Sequence, residues 1–127
     1  MPSGCSRRDR DLVCDGVPLA EIAATAGTPL YVYSAATIRD RYRAIDDAFH
    51  GYPHALHYAL KANSTLAIAR LLRTLGSGVD ANSVWEIETA RRAGFDASQI
   101  VFTGVGKSPA ELECAVRSEE HTSELSH

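Results

Sequence analysis

The stretch His54-Ala-Leu-His-Tyr-Ala-Leu-Lys61 decides how this chain is read. Side chains alternate along a strand, so Ala55, His57, Ala59 and Lys61 are expected on one face and Leu56, Tyr58 and Leu60 on the other. The second face is bulky and apolar, suited to packing under helices. The first carries small residues below its lysine, which leaves room for a planar ring. Directly afterwards the period changes. Thr65 to Leu75 predicts a helix with Leu66, Ala69, Leu72 and Leu75 on one stripe.

The same strand-then-helix alternation continues outward. Gly78-Val79-Asp80 predicts a short strand, Ser83 to Ala93 a helix ended by Gly94, and Gln99 to Thr103 a further strand. Ser108-Pro109 opens a last helix running to about Val116, with serine as cap and proline in its first turn. Upstream, Pro18 to Gly27 predicts a short helix and Leu30-Tyr-Val-Tyr33 a compact strand. Ser34 then caps a helix reaching about Phe49, closed by His50-Gly51. Three strand–helix units at a spacing of roughly 22 residues imply an α/β chain, with a parallel sheet and helices outside it. A doubly wound sheet and a (β/α)8 barrel both have this alternation.

Composition narrows the function classes. The 127 residues are 45% hydrophobic and 23% charged, with a net charge of -3. That is ordinary globular usage. No basic run with interleaved aromatics points to nucleic acid. No apolar run approaches the ~20 residues of a membrane span, and residues 1–10 lack a signal-peptide core. Cys5, Cys14 and Cys114 form no CxxC pair, so neither a disulfide framework nor a zinc site is expected, and a reducing cytoplasm fits.

Lys61 is the first chemical candidate. Strand C-terminal ends line the sites of parallel α/β folds, and a partly desolvated lysine there can capture an aldehyde cofactor. On physics alone, a strand-ending lysine is more often solvated and inert. Asp80 ends the next expected strand, beside Lys61 on the same rim. Glu86 lies in the first turn of the following helix, on a side that could face that rim. Either carboxylate could hold the lysine ammonium or polarise a cofactor. Each also has a plain structural role available, as a strand-end turn residue or a helix N-terminal acid. His54 and His57 stand three apart on a strand and point to opposite faces, so no metal is expected. Gly104-Val-Gly-Lys-Ser108 has Val101 where a phosphate-binding loop needs its first glycine, so no nucleotide site is expected.

Several segments together resemble the diaminopimelate decarboxylase family, within the ornithine, arginine and diaminopimelate decarboxylases. They are Cys14-Asp-Gly-Val-Pro-Leu, Gly27-Thr-Pro-Leu-Tyr-Val-Tyr-Ser34, His57-Tyr-Ala-Leu-Lys-Ala-Asn-Ser64, Asp80-Ala-Asn-Ser83, Glu86 and Ile100-Val-Phe-Thr-Gly-Val-Gly-Lys107. The resemblance implies part of an alanine-racemase-like (β/α)8 TIM barrel, truncated after about three units. Residues 1–33 would join a separate β domain and residues 34–116 would begin the barrel that binds pyridoxal 5'-phosphate. Lys61 would hold that cofactor covalently, with Ala59, Asp80 and Glu86 around it. The implied activity is decarboxylation of meso-2,6-diaminopimelate to L-lysine and carbon dioxide by a cytoplasmic homodimer. Alternatives are another amino-acid decarboxylase of the family, a non-catalytic pyridoxal-phosphate-binding barrel, or an interaction module with no cofactor.

Two departures stand out. The family commonly has Ser-Gly-Gly-Glu where this chain has Ser83-Val-Trp-Glu86, which puts a bulky Trp85 at a helix start. Residues 117–127 change character and resemble a translated sequencing adapter, so a non-native or disordered tail is expected there. Without the later family segments, an incomplete and inactive enzyme is expected.

Overall fold

The computed structural model describes residues 4–123, with side chains through Arg117. The chain forms two compact units, Met1–His50 and Gly51–His127.

The first unit opens with an antiparallel meander of β1 (Cys5–Arg8), β2 (Asp11–Cys14) and β3 (Val17–Pro18), in that spatial order. Asp15 and Gly16 join β2 to β3 with φ of 49° and 85°. Positive φ at both central residues is what a tight hairpin turn with the sheet's own twist requires, and Asp-Gly supplies it at little steric cost. Helix α1 (Leu19–Ala26) follows and stops at Gly27, as its sequence predicts. The expected strand Leu30–Tyr33 is absent: the segment lies in no strand, and Tyr31 and Tyr33 are exposed. Strand preference depends on packing against neighbours, and no ladder partner is present among the described residues.

Helix α2 (Ala35–Ala48) begins as forecast, with Ser34 Oγ accepting from the Thr37 amide at 3.0 Å. Asp15 reinforces this end from the hairpin turn. Its Oδ1 accepts from the Ser34 hydroxyl at 2.5 Å and its Oδ2 from the Ala36 amide at 3.0 Å. Both bonds favour the ionised form, the Ser34 bond most, and hold the Asp15 carboxyl below its ordinary value.

The second unit is the α/β body. A parallel sheet in the order β4 (His57–Ala59), β5 (Gly78–Ala81), β6 (Ile100–Phe102) alternates with α3 (Leu66–Thr74), α4 (Val84–Ala93) and α5 (Pro109–Ser123). Its core gathers Leu60, Ala69, Val79, Ala81, Ile87, Ala90, Ala93 and Phe95, with Tyr58, Leu66, Ile100 and Phe102 packed against it. The apolar alternation therefore sorts as expected: Tyr58, Val79 and Ile100 are register partners on the helix-covered side. Ala59, Asp80 and Val101 are register partners on the other.

Two boundaries differ from expectation. The first strand spans only His57–Ala59, and Leu60–Ala62 turn into a 3₁₀ helix. Helix α5 continues to Ser123 instead of ending near Val116. No glycine or proline follows Pro109 to stop it, and an i,i+4 pair between Arg117 and Glu113 at 2.5 Å supports its middle. Residues 124–127 lie outside the described residues.

Candidate active site

Lys61 does not lie on a strand. It sits one residue into the 3₁₀ turn that follows β4, and it is exposed. The turn is held on both sides of the lysine. Leu60 is fully buried in the core, and the Tyr58 hydroxyl donates to the Asn63 carbonyl at 3.0 Å. Asn63 Oδ1 in turn accepts from the Thr65 amide at 3.0 Å, leading the chain into α3. Tyr58, Leu60 and Asn63 thus fix the backbone beneath Lys61 while its amine stays unengaged among the described residues.

Beside this turn the open face of the sheet is kept small. Ala59 ends β4, and Gly78 starts β5 with the His57 ring over it. A Cβ at Gly78 would come within 2.6 Å of that ring and 2.9 Å of the Gln99 carbonyl, so no larger residue fits without displacing backbone. Asp80 pairs in register with Ala59, one strand spacing of about 4.8 Å away.

Asp80 is locked by a polar chain that sequence reasoning did not foresee. The Thr103 hydroxyl donates to Asp80 Oδ1. Asn82 Nδ2 donates to Thr103 Oγ1 at 2.9 Å. Thr103 follows β6, held by its amide bond to the Ala81 carbonyl at 2.9 Å. Asn82 Oδ1 is buried and has no partner among the described residues. A parallel sheet was expected, and its register pairs Asp80 with Val101, so Thr103 reaches the Asp80 carboxylate from two residues further on, just past the end of β6. The usable signal was a polar residue at each strand's end, Asp80 and Thr103.

Glu86 is engaged locally. Its Oε2 accepts from the Asn82 amide at 2.6 Å, while its own amide donates to Ser83 Oγ at 3.2 Å. This reciprocal arrangement closes the first turn of α4. Trp85, next to it, points outward and is 82% exposed, so its bulk meets no core residue. Lys107 is turned back to the Gly104 carbonyl at 2.9 Å, with its ammonium 4.4 Å from the Phe102 ring centre. His54 and His57 lie off and on β4 respectively, and no cluster of three or more metal-ligating side chains occurs among the described residues. No helix among them is long and apolar enough to cross a membrane.

A lysine on a braced turn beyond a parallel strand, with a fixed carboxylate on the next strand, has groups chemically able to capture an aldehyde. The chain belongs to the pyridoxal-dependent decarboxylase family, whose pyridoxal-binding domain matches residues 35–125. Within that family its relatives are specific. It is 47% identical to the diaminopimelate decarboxylase of Vibrio cholerae over 111 residues, 87% of this chain and 27% of that protein. It is 44% identical to that of Pseudomonas aeruginosa, over 91% of this chain and 28% of that protein. Among solved structures, the M. jannaschii diaminopimelate decarboxylase in complex with L-lysine superposes with a TM-score of 0.83 at 34% identity, over 91% of this chain and 28% of that one. The Helicobacter pylori enzyme with L-lysine gives 0.74 at 42% identity, over 80% and 26%. The chain therefore spans little more than a quarter of the length of these relatives.

Proposed function

We propose that this chain is the cofactor-anchoring portion of a diaminopimelate decarboxylase, with Lys61 as the residue that binds pyridoxal 5'-phosphate covalently. The observation that carries the reading is the unengaged Lys61 amine on a turn braced by Leu60, Tyr58 and Asn63. The residues present fit the cofactor. Ala59 adds little bulk on the open face, Asp80 is held in place by Thr103, and Asn82 Oδ1, without a partner among the described residues, is an acceptor still to be satisfied next to them. When bound, the cofactor supplies an electron sink for the pair released as carbon dioxide leaves.

The chain's own residues then have distinct tasks. Lys61 would hold the cofactor through its amine. Asp80 would present its carboxylate one strand away, toward the same rim as Lys61. Ala59 keeps the floor low. Glu86 supports the rim by fixing Asn82 and the start of α4, and so contributes to cofactor binding through position.

The proposed whole protein is a cytoplasmic homodimer acting on meso-2,6-diaminopimelate to give L-lysine and carbon dioxide. In it, residues 34–116 form the start of a (β/α)8 barrel, the three parallel strands being its first staves. Residues 1–33 belong with a separate β domain, for which the β1–β3 meander is suited. The test is direct. Pyridoxal phosphate added to the 127-residue chain should develop the long-wavelength absorbance that accompanies capture of its aldehyde by a lysine, and borohydride should fix the label on the peptide containing Lys61. Loss of both signals in Lys61→Ala is expected. Labelling elsewhere with Lys61 unmodified would overturn the assignment.

A further inference from the structure

Cys5 and Cys14 face each other across the β1–β2 hairpin as direct register partners, so both side chains leave the sheet on the same side. The ladder defines which kind of pair they are. Hydrogen-bonded and non-hydrogen-bonded pairs alternate along an antiparallel hairpin. From the two-residue turn at Asp9-Arg10, Arg8–Asp11 and Ser6–Val13 fall in bonded positions, and Arg7–Leu12 and Cys5–Cys14 in non-bonded ones. The next pair agrees: the Asp15 amide donates to the Gly4 carbonyl at 3.3 Å. Non-bonded partners have Cα atoms about 4.5 Å apart, at the near end of the roughly 4.4–6.8 Å that a disulfide spans. A hydrogen bond with Cys5, together with burial, pushes the Cys14 thiol up to about 11. Accessibility is divided, Cys5 being exposed and Cys14 buried.

We propose that Cys5 and Cys14 form a reversible cross-strand disulfide by exchange with a low-molecular-weight disulfide such as oxidised glutathione. The accessible Cys5, as thiolate, attacks one sulfur of the small disulfide, giving a mixed disulfide and releasing one small thiolate. Cys14 loses its proton to solvent and attacks the Cys5 sulfur, and the second small thiolate leaves. Two protein thiols become one disulfide while one small disulfide becomes two thiols, so atoms and electrons balance. A pair at the short end of the allowed separation with one exposed sulfur belongs to the readily reduced class. The link would fasten the open end of the hairpin between Gly4 and Asp15. Gly4 lies against Thr37, and Asp15 caps α2. Oxidation therefore fixes the carboxylate that starts that helix.

The experiment uses the full 127-residue chain at sub-micromolar concentration, equilibrated with oxidised glutathione, acid-quenched, alkylated and digested with trypsin without reduction. Trypsin cuts after Arg7, Arg8 and Arg10, so the two cysteines part unless a disulfide joins them. The expected product is a peptide pair linked through Cys5 and Cys14, with loss of two hydrogens from the intact chain. It should vanish in Cys5→Ser and Cys14→Ser, persist in Cys114→Ser, and revert with excess dithiol. Three results would overturn the proposal: both thiols alkylated after equilibration, a glutathione adduct lasting on Cys5, or linkage running to Cys114 or between chains. The wild-type linkage is decisive by itself if a serine variant does not fold.

Discussion

Removing the two halves of the α4 cap separates a scaffolding role for Glu86 from a direct one at the lysine. Ser83 Oγ accepts from the Glu86 amide and Glu86 Oε2 accepts from the Asn82 amide. Loss of the serine cap in Ser83→Ala costs about 1 kcal/mol. Loss of a charge-assisted bond in Glu86→Ala costs about 1.5 kcal/mol, with roughly 0.5 kcal/mol more from the helix dipole. Because both groups hold one turn, the double variant should lose less than the sum, with a coupling of about 0.5–1 kcal/mol. Glu86→Gln keeps an acceptor oxygen in place and should cost only about 0.5–1 kcal/mol. Urea titration at sub-micromolar concentration reads these values by circular dichroism. The anisotropy of Trp85, the chain's single tryptophan, reports the same turn. If Glu86→Gln were as costly as Glu86→Ala, or if it abolished capture of pyridoxal phosphate with stability intact, the capping account would be wrong.

Other outcomes follow from named contacts. Thr103→Val deprives Asp80 and Asn82 of their shared partner and should cost about 1–2 kcal/mol in the same titration, since half-satisfied polar groups are left behind. Acid should weaken the first unit through Asp15. Its folded pKa lies below its unfolded value, so its contribution is present above about pH 4 and is lost as pH falls through the folded pKa. In Asp15→Asn the acid limb of a stability-versus-pH curve should flatten. β4 and β6 each have an unpaired edge among the described residues, and exposed parallel edges invite association. The 127-residue chain by itself should therefore associate at micromolar concentration and release no carbon dioxide from diaminopimelate; a monodisperse monomer in sedimentation would contradict this.

Periodicity carried the second unit well because there each element is decided by burial. Leu60, Val79 and Ile87 repeat at intervals that only a strand-and-helix alternation can bury together. The cap at Ser34 and the stop at Gly94 were equally legible, being local chemistry. The first unit was not. Asp15-Gly16 is a strong hairpin signal, yet β1 reads Cys-Ser-Arg-Arg and is exposed throughout, so no apolar alternation announced the meander. Leu30–Tyr33 erred in the other direction, having β-forming residues without a neighbouring strand. At the candidate site, Lys61 and Asp80 could be singled out as candidates from their expected places at strand ends, though Lys61 lies just past β4. The 3₁₀ turn could not, because Leu60–Lys61–Ala62 has no turn residue; the Tyr58–Asn63 bond that closes over it appears only in three dimensions. The Thr103 link depends on register between β5 and β6, which no single segment encodes.

The Thr103 hydroxyl carries one proton, and that proton has a direction. An ionised Asp80 can only accept, so the proton points toward it and the hydroxyl's lone pairs turn toward Asn82. Asn82 must then present its amide nitrogen, and its oxygen is left without a partner among the described residues. The orientation of an uncharged side chain is thus a record of charge at its neighbour. Neutralising Asp80 would permit the hydroxyl to reverse and the amide to flip, exchanging an acceptor for a donor at the rim without moving the backbone.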